Sequence, residues 1–509
     1  MRIYTRLSFL VLVCLLTSIS VAQVATSRLE GLIQDQSGAV IPGAKITALN
    51  NKTQARSETT SSAQGLYVFP SLPPGEYTVT AEAQGFRKAV RTAVALNVST
   101  TVAENFRLEV GQVTESVVVE ANTERVQTSE SQLGRVITLR DIDVLPQLGR
   151  TPIGLAYLQP GVQIDGGNEG FSRVNGTRQG SNNLKLDGID VNDAVVPRLG
   201  LTLTANNTDS VEEFRVVTNG GRAEYGRSAG AQVELITRSG SNTWHGNAFD
   251  YHRNTVLNAN NFFNNSSGVP RPKFIQNIFG GSVAGPIFKD RTFIFGNYQG
   301  RRTRQEIVRN RTVLTPEAKA GVFRWRPPGS SEIRSFDIAQ NDPRRKGIDP
   351  AVAPILKLLP DPNNYDIGDG LNTAGFRFNN PNNNYEDQFT IRGDHNLWNN
   401  HRIFYRHSWQ RNSFIDSLNN ADARFPGQPQ GTQGGQRWGY AIGSDWAINS
   451  RVVNEFRFGY QSASVAFNRP ARLPGPMLVS NTWTDPLNPA FAQGRNSPVR
   501  EFTDNLSLV

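Results

Sequence analysis

Between Arg451 and Gln461 the chain alternates side-chain character at every step. Val452, Phe456, Phe458 and Tyr460 fall on one face, and Arg451, Glu455, Arg457, Gly459 and Gln461 on the other. A period of two is the signature of a strand whose two faces meet different surroundings. Asp387, Phe389, Ile391 and Gly393 alternate with Gln388, Thr390 and Arg392 in the same way. Ile403, Tyr405, His407 and Trp409 alternate with Arg402, Phe404, Arg406 and Ser408. The connections alternate as well. Tight turns at Lys289-Asp290-Arg291, Asn399-Asn400 and Asn449-Ser450 are separated by long stretches over 302–384 and 412–436. Outer-membrane barrels connect their strands in this way, because a closed barrel satisfies backbone groups in lipid without exposing an edge. A soluble antiparallel sheet also alternates, so the segments upstream have to decide between the two.

Composition narrows the choice. The 509 residues include 46 Gly, one Cys and only 19% charged residues. Beyond the N-terminus no window offers the ~20 apolar residues of a membrane-spanning helix. A polytopic helical membrane protein, a disulfide scaffold and a helical bundle are excluded. At the N-terminus Arg2 and Arg6 precede the apolar run Leu7 to Leu16, which ends in Ser20-Val21-Ala22. That pattern reads as a secretory signal peptide cut after Ala22, and it removes Cys14. The formal net charge of +9 is scattered rather than massed in a patch, so no nucleic-acid partner is expected.

From Arg28 to about Val110 short strands are separated by turns. Ile41-Pro42-Gly43-Ala44 and Leu72-Pro73-Pro74-Gly75 are turn signals. Leu66 and Val68 alternate with Tyr67 and Phe69, and Tyr77, Val79 and Ala81 share a face, as in a β-sandwich. Together with Gly31, Asp35, Gly38, Gly65, Glu76 and Gly85-Phe86, these strings resemble the carboxypeptidase regulatory-like domain. The resemblance implies a transthyretin-like sandwich of the carbohydrate-binding-like group. It implies no peptidase activity, and sugar binding would be a fold-level analogy.

The run Glu115, Ser116, Val117, Val118, Val119 and Glu120 reads as an exposed strand suited to pairing with a partner's edge. An ordinary last strand or a linker is the alternative. The following segments are Val174-Asn175-Gly176-Thr177, Leu184-Lys185-Leu186-Asp187-Gly188-Ile189, Val211-Glu212-Glu213-Phe214, Tyr225-Gly226-Arg227, and Val233-Glu234-Leu235-Ile236-Thr237-Arg238-Ser239-Gly240. This ordered set resembles the plug domain of TonB-dependent outer-membrane receptors, most closely the Oar-like branch, which carries a sandwich ahead of the plug. The resemblance implies that Glu115 to Glu120 lie where a TonB-box-like segment sits. It also makes Asn175, Gly176, Asp187, Gly188, Tyr225 and Gly226 the plug motif residues.

Three other patterns invite chemistry. Gly226-Arg227-Ser228-Ala229-Gly230 fits G-x-S-x-G, but a strand pattern follows it where a nucleophile elbow needs a helix. Asp187, Asp190, Asn192 and Asp193 are clustered oxygen ligands without EF-hand spacing, and they read as a hairpin with Asx turns. His395, His401 and His407 are interrupted by the turn at Asn399-Asn400. No catalytic, metal or cofactor site is expected.

The sequence thus predicts a mainly β chain: an N-terminal β-sandwich, an α+β plug domain and a partial antiparallel transmembrane β-barrel. The segments are a signal peptide at 1–22, the sandwich at 23–110, a linker with the TonB-box-like segment at 111–126, the plug at 127–240 and barrel at 241–509. At about 20 to 25 residues per strand with its loops, the last segment holds about a dozen strands, against 22 in plugged transporters. The chain therefore reads as the N-terminal portion of a longer receptor. The expected location is the outer membrane. The expected partners are the energy-transducing TonB complex, outer-membrane lipid and an extracellular siderophore, oligosaccharide or peptide. A structural or adhesive surface protein without active import, or a periplasmic carbohydrate-binding module, is the competing expectation.

Overall fold

The computed structural model describes residues 26–508 apart from 112–115, 121–131, 146–149, 157, 165–171, 197–201, 204–206, 221–228, 450–451, 471–474, 476–481 and 488–490. The expected signal peptide, residues 1–22, lies outside the described residues. In the first module Ser27–Asp35 is the hub of one sheet. It pairs antiparallel with Leu66–Leu72, and parallel first with Thr101–Ala103 and then with Phe106–Leu108. The facing sheet runs Arg56–Thr60, Lys45–Asn50, Gly75–Glu82, Lys88–Leu96, Ser116–Glu120. Alternation places Leu29, Ile33, Ile46, Tyr67, Phe69, Val79 and Phe106 in a common core between the two, while Leu66 turns outward. The Tyr67 hydroxyl donates to the Glu104 carbonyl at 2.6 Å, so this core tyrosine leaves no polar atom unmet.

The middle module is a five-stranded mixed sheet in the order Leu133–Thr138, Val211–Asn219, Gln232–Thr237, Asn183–Leu186, Ile189–Asp190. One short helix, Leu139–Val144, starts with a capping box between Thr138 and Asp141. Ile142, Leu184, Leu186, Phe214, Val233 and Leu235 form its core.

The largest sheet runs His245–Arg253, Phe274–Phe288, Thr292–Leu314, Asn384–Trp398, His401–Ile415, Thr432–Asn449, Val452–Asn468, Gln493–Leu508, each strand antiparallel to the next. Thr373–Pro381 adds to the far half of Thr292–Leu314, which makes nine strands in this sheet among the described residues. Val322–Trp325 and Arg334–Asp337 pair apart from it, so the segment expected to hold about a dozen strands holds eleven among the described residues. Thr292–Leu314 alone is 23 residues. The connection expected to begin at Arg302 is still strand as far as Leu314, held by pairing with Thr373–Pro381. In that extension the apolar residues fall in pairs, Ile307-Val308 and Val313-Leu314, around Arg309-Asn310-Arg311, so no apolar alternation marked it. His245–Arg253 and Gln493–Leu508 are the two edges, and the sheet is an open arc.

The polarity of this arc is inverted relative to a soluble sheet. Gln388, Thr390, Arg392, Asp394, Arg406, Ser408, Gln410, Glu455, Arg457 and Gln461 are buried, with Arg406 at 0% exposure, whereas Ile391 and Tyr405 are 45% and 47% exposed and Phe502 is 67% exposed. The concave face is polar because the middle module fills it, and the convex face is apolar as a lipid-facing surface must be. The sandwich sits at the end with the tight turns, where the Asn242 N–H donates to the Lys52 carbonyl at 3.1 Å.

Candidate functional site

The middle module enters the arc through the hairpin of Asn183–Leu186 and Ile189–Asp190. Leu186 pairs with Ile189, which leaves a two-residue loop of Asp187 (φ 53°) and Gly188 (φ 83°). Two consecutive positive φ values are a type I′ turn, the geometry for which Asp-Gly is suited. Gly188 has no Cβ to penalise that conformation. The turn presents Asp187, 2% exposed, to the wall. Opposite the neighbouring Ile189, Gly459 leaves room for the isoleucine side chain; a Cβ there would come within 2.6 Å of Ile189 Cγ2.

Asp187 is met on every side. Thr237 donates to it from its backbone N–H at 2.9 Å and its hydroxyl at 2.7 Å. Arg392 Nη1 donates to Oδ1 at 2.9 Å and also to the Thr237 carbonyl at 3.0 Å. Arg406 Nε lies 2.8 Å from Oδ2 as an ion pair, without the alignment of a hydrogen bond. The chain of charge continues along the wall, from Arg392 to Asp394 at 3.0 Å, Arg402 to Asp394 at 2.5 Å, and Arg457 to Asp445 at 2.5 Å. Phe404 stands between two cations, with Arg392 at 4.6 Å and Arg457 at 5.3 Å from its ring centre. Charges removed from water are tolerable only when so paired. The network joins the module to the wall by electrostatics that a modest shift of the Asp187 turn would break.

A second set of contacts lies further along the same hairpin. Asp193 takes both Arg495 terminal nitrogens, at 2.6 and 3.1 Å. Glu501 accepts from the Asp190 N–H at 2.6 Å, and Gln461 donates to the Asp190 carbonyl. In the 3-10 turn Thr208–Ser210, Asp209 accepts from Arg150 at 3.2 Å and from Asn247 at 3.1 Å.

The other expected motif residues fall elsewhere. Asn175 (φ 49°) and Gly176 (φ 74°) form the turn after Ser172–Val174, where Asn175 Nδ2 donates to the Thr218 carbonyl at 2.8 Å. They do not converge on Asp187. Tyr225 and Gly226 lie outside the described residues, as do Ser228 of the G-x-S-x-G string and Glu115 of the box. Ser116–Glu120 is a strand, paired in parallel with Lys88–Leu96 as the outermost strand of the sandwich sheet.

The acidic cluster behaves as a hairpin with Asx turns. Asp190 Oδ1 accepts from the Asn192 N–H at 2.8 Å, and Asp193 Oδ1 from the Val195 N–H at 2.9 Å. Guanidinium groups occupy the remaining lone pairs of Asp187 and Asp193. The histidines diverge: His395 pairs with Thr292 and His401 with Ser444, while His407 packs on Phe389. Among the described residues no group of His, Cys, Asp or Glu could hold a metal ion.

Sequence reasoning missed the partners Arg392, Asp394, Arg406 and Arg457 as a set. The alternation marks Arg392, Arg406 and Arg457 singly, next to Ile391, Tyr405 and Phe456, but nothing local pairs them with Asp187.

Comparison with known proteins accords with this architecture. Residues 28–109 match the carboxypeptidase regulatory-like domain, and residues 236–496, just over half of the chain, match the outer membrane beta barrel domain. The TonB-dependent transporter Oar of Myxococcus xanthus is 29% identical over 282 residues, which are 53% of this chain and 26% of that protein. The chain thus spans about a quarter of the length of this curated relative. Among solved structures, the ferric enterobactin receptor of Pseudomonas aeruginosa in complex with enterobactin aligns with a TM-score of 0.42 at 13% identity, over 74% of this chain and 46% of that one. The siderophore receptor PirA from Acinetobacter baumannii aligns with a TM-score of 0.35 at 14% identity, over 75% and 55%. With its inverted sheet and the match over residues 236–496, this chain belongs to the outer membrane beta barrel domain family and is an outer-membrane protein similar to the transporter Oar.

Proposed function

We propose that the chain acts as a TonB-dependent outer-membrane receptor. The middle module is the plug. An extracellular siderophore, oligosaccharide or peptide binds on the long loops and the plug surface, and the TonB complex pulls on Ser116–Glu120 to shift the plug and admit the ligand. The observation that carries this reading is the Asp187 network, a buried ionic seam between module and wall that holds the plug in place yet can separate along one line. An edge strand ahead of the plug suits a partner that recognises backbone rather than side chains. No part of the reading requires chemistry on the ligand, in keeping with relatives named as transporters and receptors.

Deletion of residues 115–120 in the full-length protein tests it. Energised uptake should vanish while ligand binding at the cell surface persists. Unchanged uptake would remove the box from its assigned role.

A further inference from the structure

The sandwich is not tethered loosely below the plug. Its turn Asn97–Thr100, which crosses from one sheet of the sandwich to the other, packs against two inner strands of the plug sheet, Val211–Asn219 and Gln232–Thr237. The Val98 N–H donates to Glu213, the Ser99 hydroxyl donates to Glu234, and Arg215 donates to the Ser99 carbonyl. Arg215 and Glu234 are register partners on adjacent plug strands. Glu213, Arg215 and Glu234 are each buried, at 6%, 2% and 6% exposure. Ser99 adopts φ 53°, and the turn is pinned from within its own domain by the Thr26 carbonyl, which accepts the Ser99 N–H at 3.1 Å.

A second contact reaches the wall itself. The hydroxyls of Thr26 and Ser71 converge on Glu455 Oε1 at 2.8 and 2.5 Å. Glu455 is 4% exposed and sits on Val452–Asn468. A third contact lies at the rim, where the Lys52 carbonyl accepts the Asn242 N–H at 3.1 Å and Lys52 Nζ meets Glu212 at 2.6 Å. Beside Thr26, Ser71 and Lys52 lies a cavity of about 140 Å3 between Asn50, Ser71 and Tyr77 of the sandwich and Arg392, Asp394 and Arg402 of the wall.

The recurring chemistry is a buried carboxylate met by a neutral donor from the sandwich. A surface carboxylate has water for this purpose. Glu213, Glu234 and Glu455 are cut off from water, so the Val98 amide and the Ser99, Thr26 and Ser71 hydroxyls replace it. We propose that the sandwich is a lid, docked on the inner mouth of the barrel through Asn97–Thr100 on the plug and through Thr26 and Ser71 on Glu455. The lid closes the passage at rest and leaves together with the plug strands on which it rests.

Its opening rests on the proposed receptor function. The docking turn directly follows Lys88–Leu96, the strand that carries Ser116–Glu120 as its neighbour. A pull on Ser116–Glu120 is therefore delivered first to the strand that holds the lid in place. The dock itself is independent of that function.

The test uses the full-length protein in outer membranes. Lys52→Cys with Asn242→Cys joins two backbones already hydrogen-bonded, within the reach of a disulfide. A control pair, Asn247→Cys with Ser282→Cys, bridges register partners inside the large sheet and reports that the barrel has folded. The lid predicts that both pairs crosslink in resting cells. A control crosslink without the Lys52–Asn242 crosslink overturns the dock. Next, a lone Ser99→Cys should resist a maleimide at rest. Adding Ser71→Asp, which places a carboxylate against Glu455, should raise its labelling about tenfold; unchanged labelling overturns the role assigned to Glu455. Labelling of Ser99→Cys should also rise in energised cells relative to cells lacking the energy transducer. Equal labelling in the two, with the Lys52–Asn242 crosslink intact, overturns opening by the transducer and leaves a static dock. Loss of uptake on deleting residues 115–120 shows separately whether the receptor reading stands.

Discussion

The sandwich and the large sheet obey the same period of two and put opposite residues inside. In the sandwich Leu29, Ile33, Ile46 and Phe106 point inward, while Lys45, Arg56 and Glu58 face solvent. In the sheet Arg392, Arg406, Gln410 and Arg457 point inward, and Ile391, Tyr405, Ile442 and Phe502 face out. Alternation specifies a strand with two unlike faces. Which face is the interior depends on what solvates the other, water in one case and hydrocarbon in the other.

The largest expected effect removes the charge that justifies the polar interior. Asp187→Ala leaves Arg392 and Arg406 without a shared counterion and should destabilise the module–wall union by about 3–5 kcal/mol, read as a lowered midpoint in heat-modifiability on a gel. In the sandwich the equivalent blow is apolar. Phe106→Ala should cost about 3–5 kcal/mol through its cavity, measured by denaturant unfolding, whereas Phe502→Ala on the outer face should cost far less. Ile391→Arg sharpens the contrast by placing a charge on the lipid face, at about 2–4 kcal/mol near the bilayer midplane. A small effect there would mean that this face is covered by protein instead.

A subtler effect concerns the dock between the two regions. Burial pushes the Glu213 carboxyl up to about 8, Glu212 adds to the rise, and the Val98 N–H, Lys52 and Arg215 oppose it. Docked Glu213 therefore keeps its proton up to about pH 8, while an exposed one loses it near the ordinary value of 4.5. Stability of the dock is fully present below about pH 4.5 and is lost as pH rises toward 8, at up to about 1.4 kcal/mol per pH unit. Crosslinking of the Lys52–Asn242 cysteine pair, followed by a pH-independent reagent, should decline over that range, and Glu213→Gln should flatten the profile. The smallest effect belongs to the sandwich exterior. Glu58 is held below the usual carboxylate range by Lys45 and Arg56, yet Glu58→Gln should change stability by only about 0.2–1 kcal/mol in thermal unfolding, because both pairs are exposed to solvent.

Much of this was legible from local pattern. The Asp187-Gly188 turn could be read because a type I′ hairpin needs φ > 0 at both positions, and few residue pairs supply it. The strands around Phe389, Tyr405 and Phe458 could be read because their neighbours alternate. The partners of Asp187 could not, since Arg392 and Arg406 are more than two hundred residues away along the chain and an ion pair leaves no local trace. The pairing of Ser116–Glu120 was equally hidden. Its β-branched run announces a strand, and nothing in it names the neighbour. The strand extension from Glu306 to Leu314 was invisible because its apolar residues are adjacent pairs, Ile307-Val308 and Val313-Leu314, which carry no period of two.

The sequence by itself determined the order of the three modules, the strand-forming segments, the turn at Asp187-Gly188 and the two-faced character of the wall. These depend on backbone preference and side-chain alternation over a few residues. Tertiary structure alone decided which arginines meet Asp187, that Ser116–Glu120 joins the sandwich, and that Val98, Ser99, Thr26 and Ser71 rest on Glu213, Glu234 and Glu455. Each of these unites groups far apart in the chain, and the energy that selects them, desolvation of a charge against its pairing, exists only once the surfaces have met.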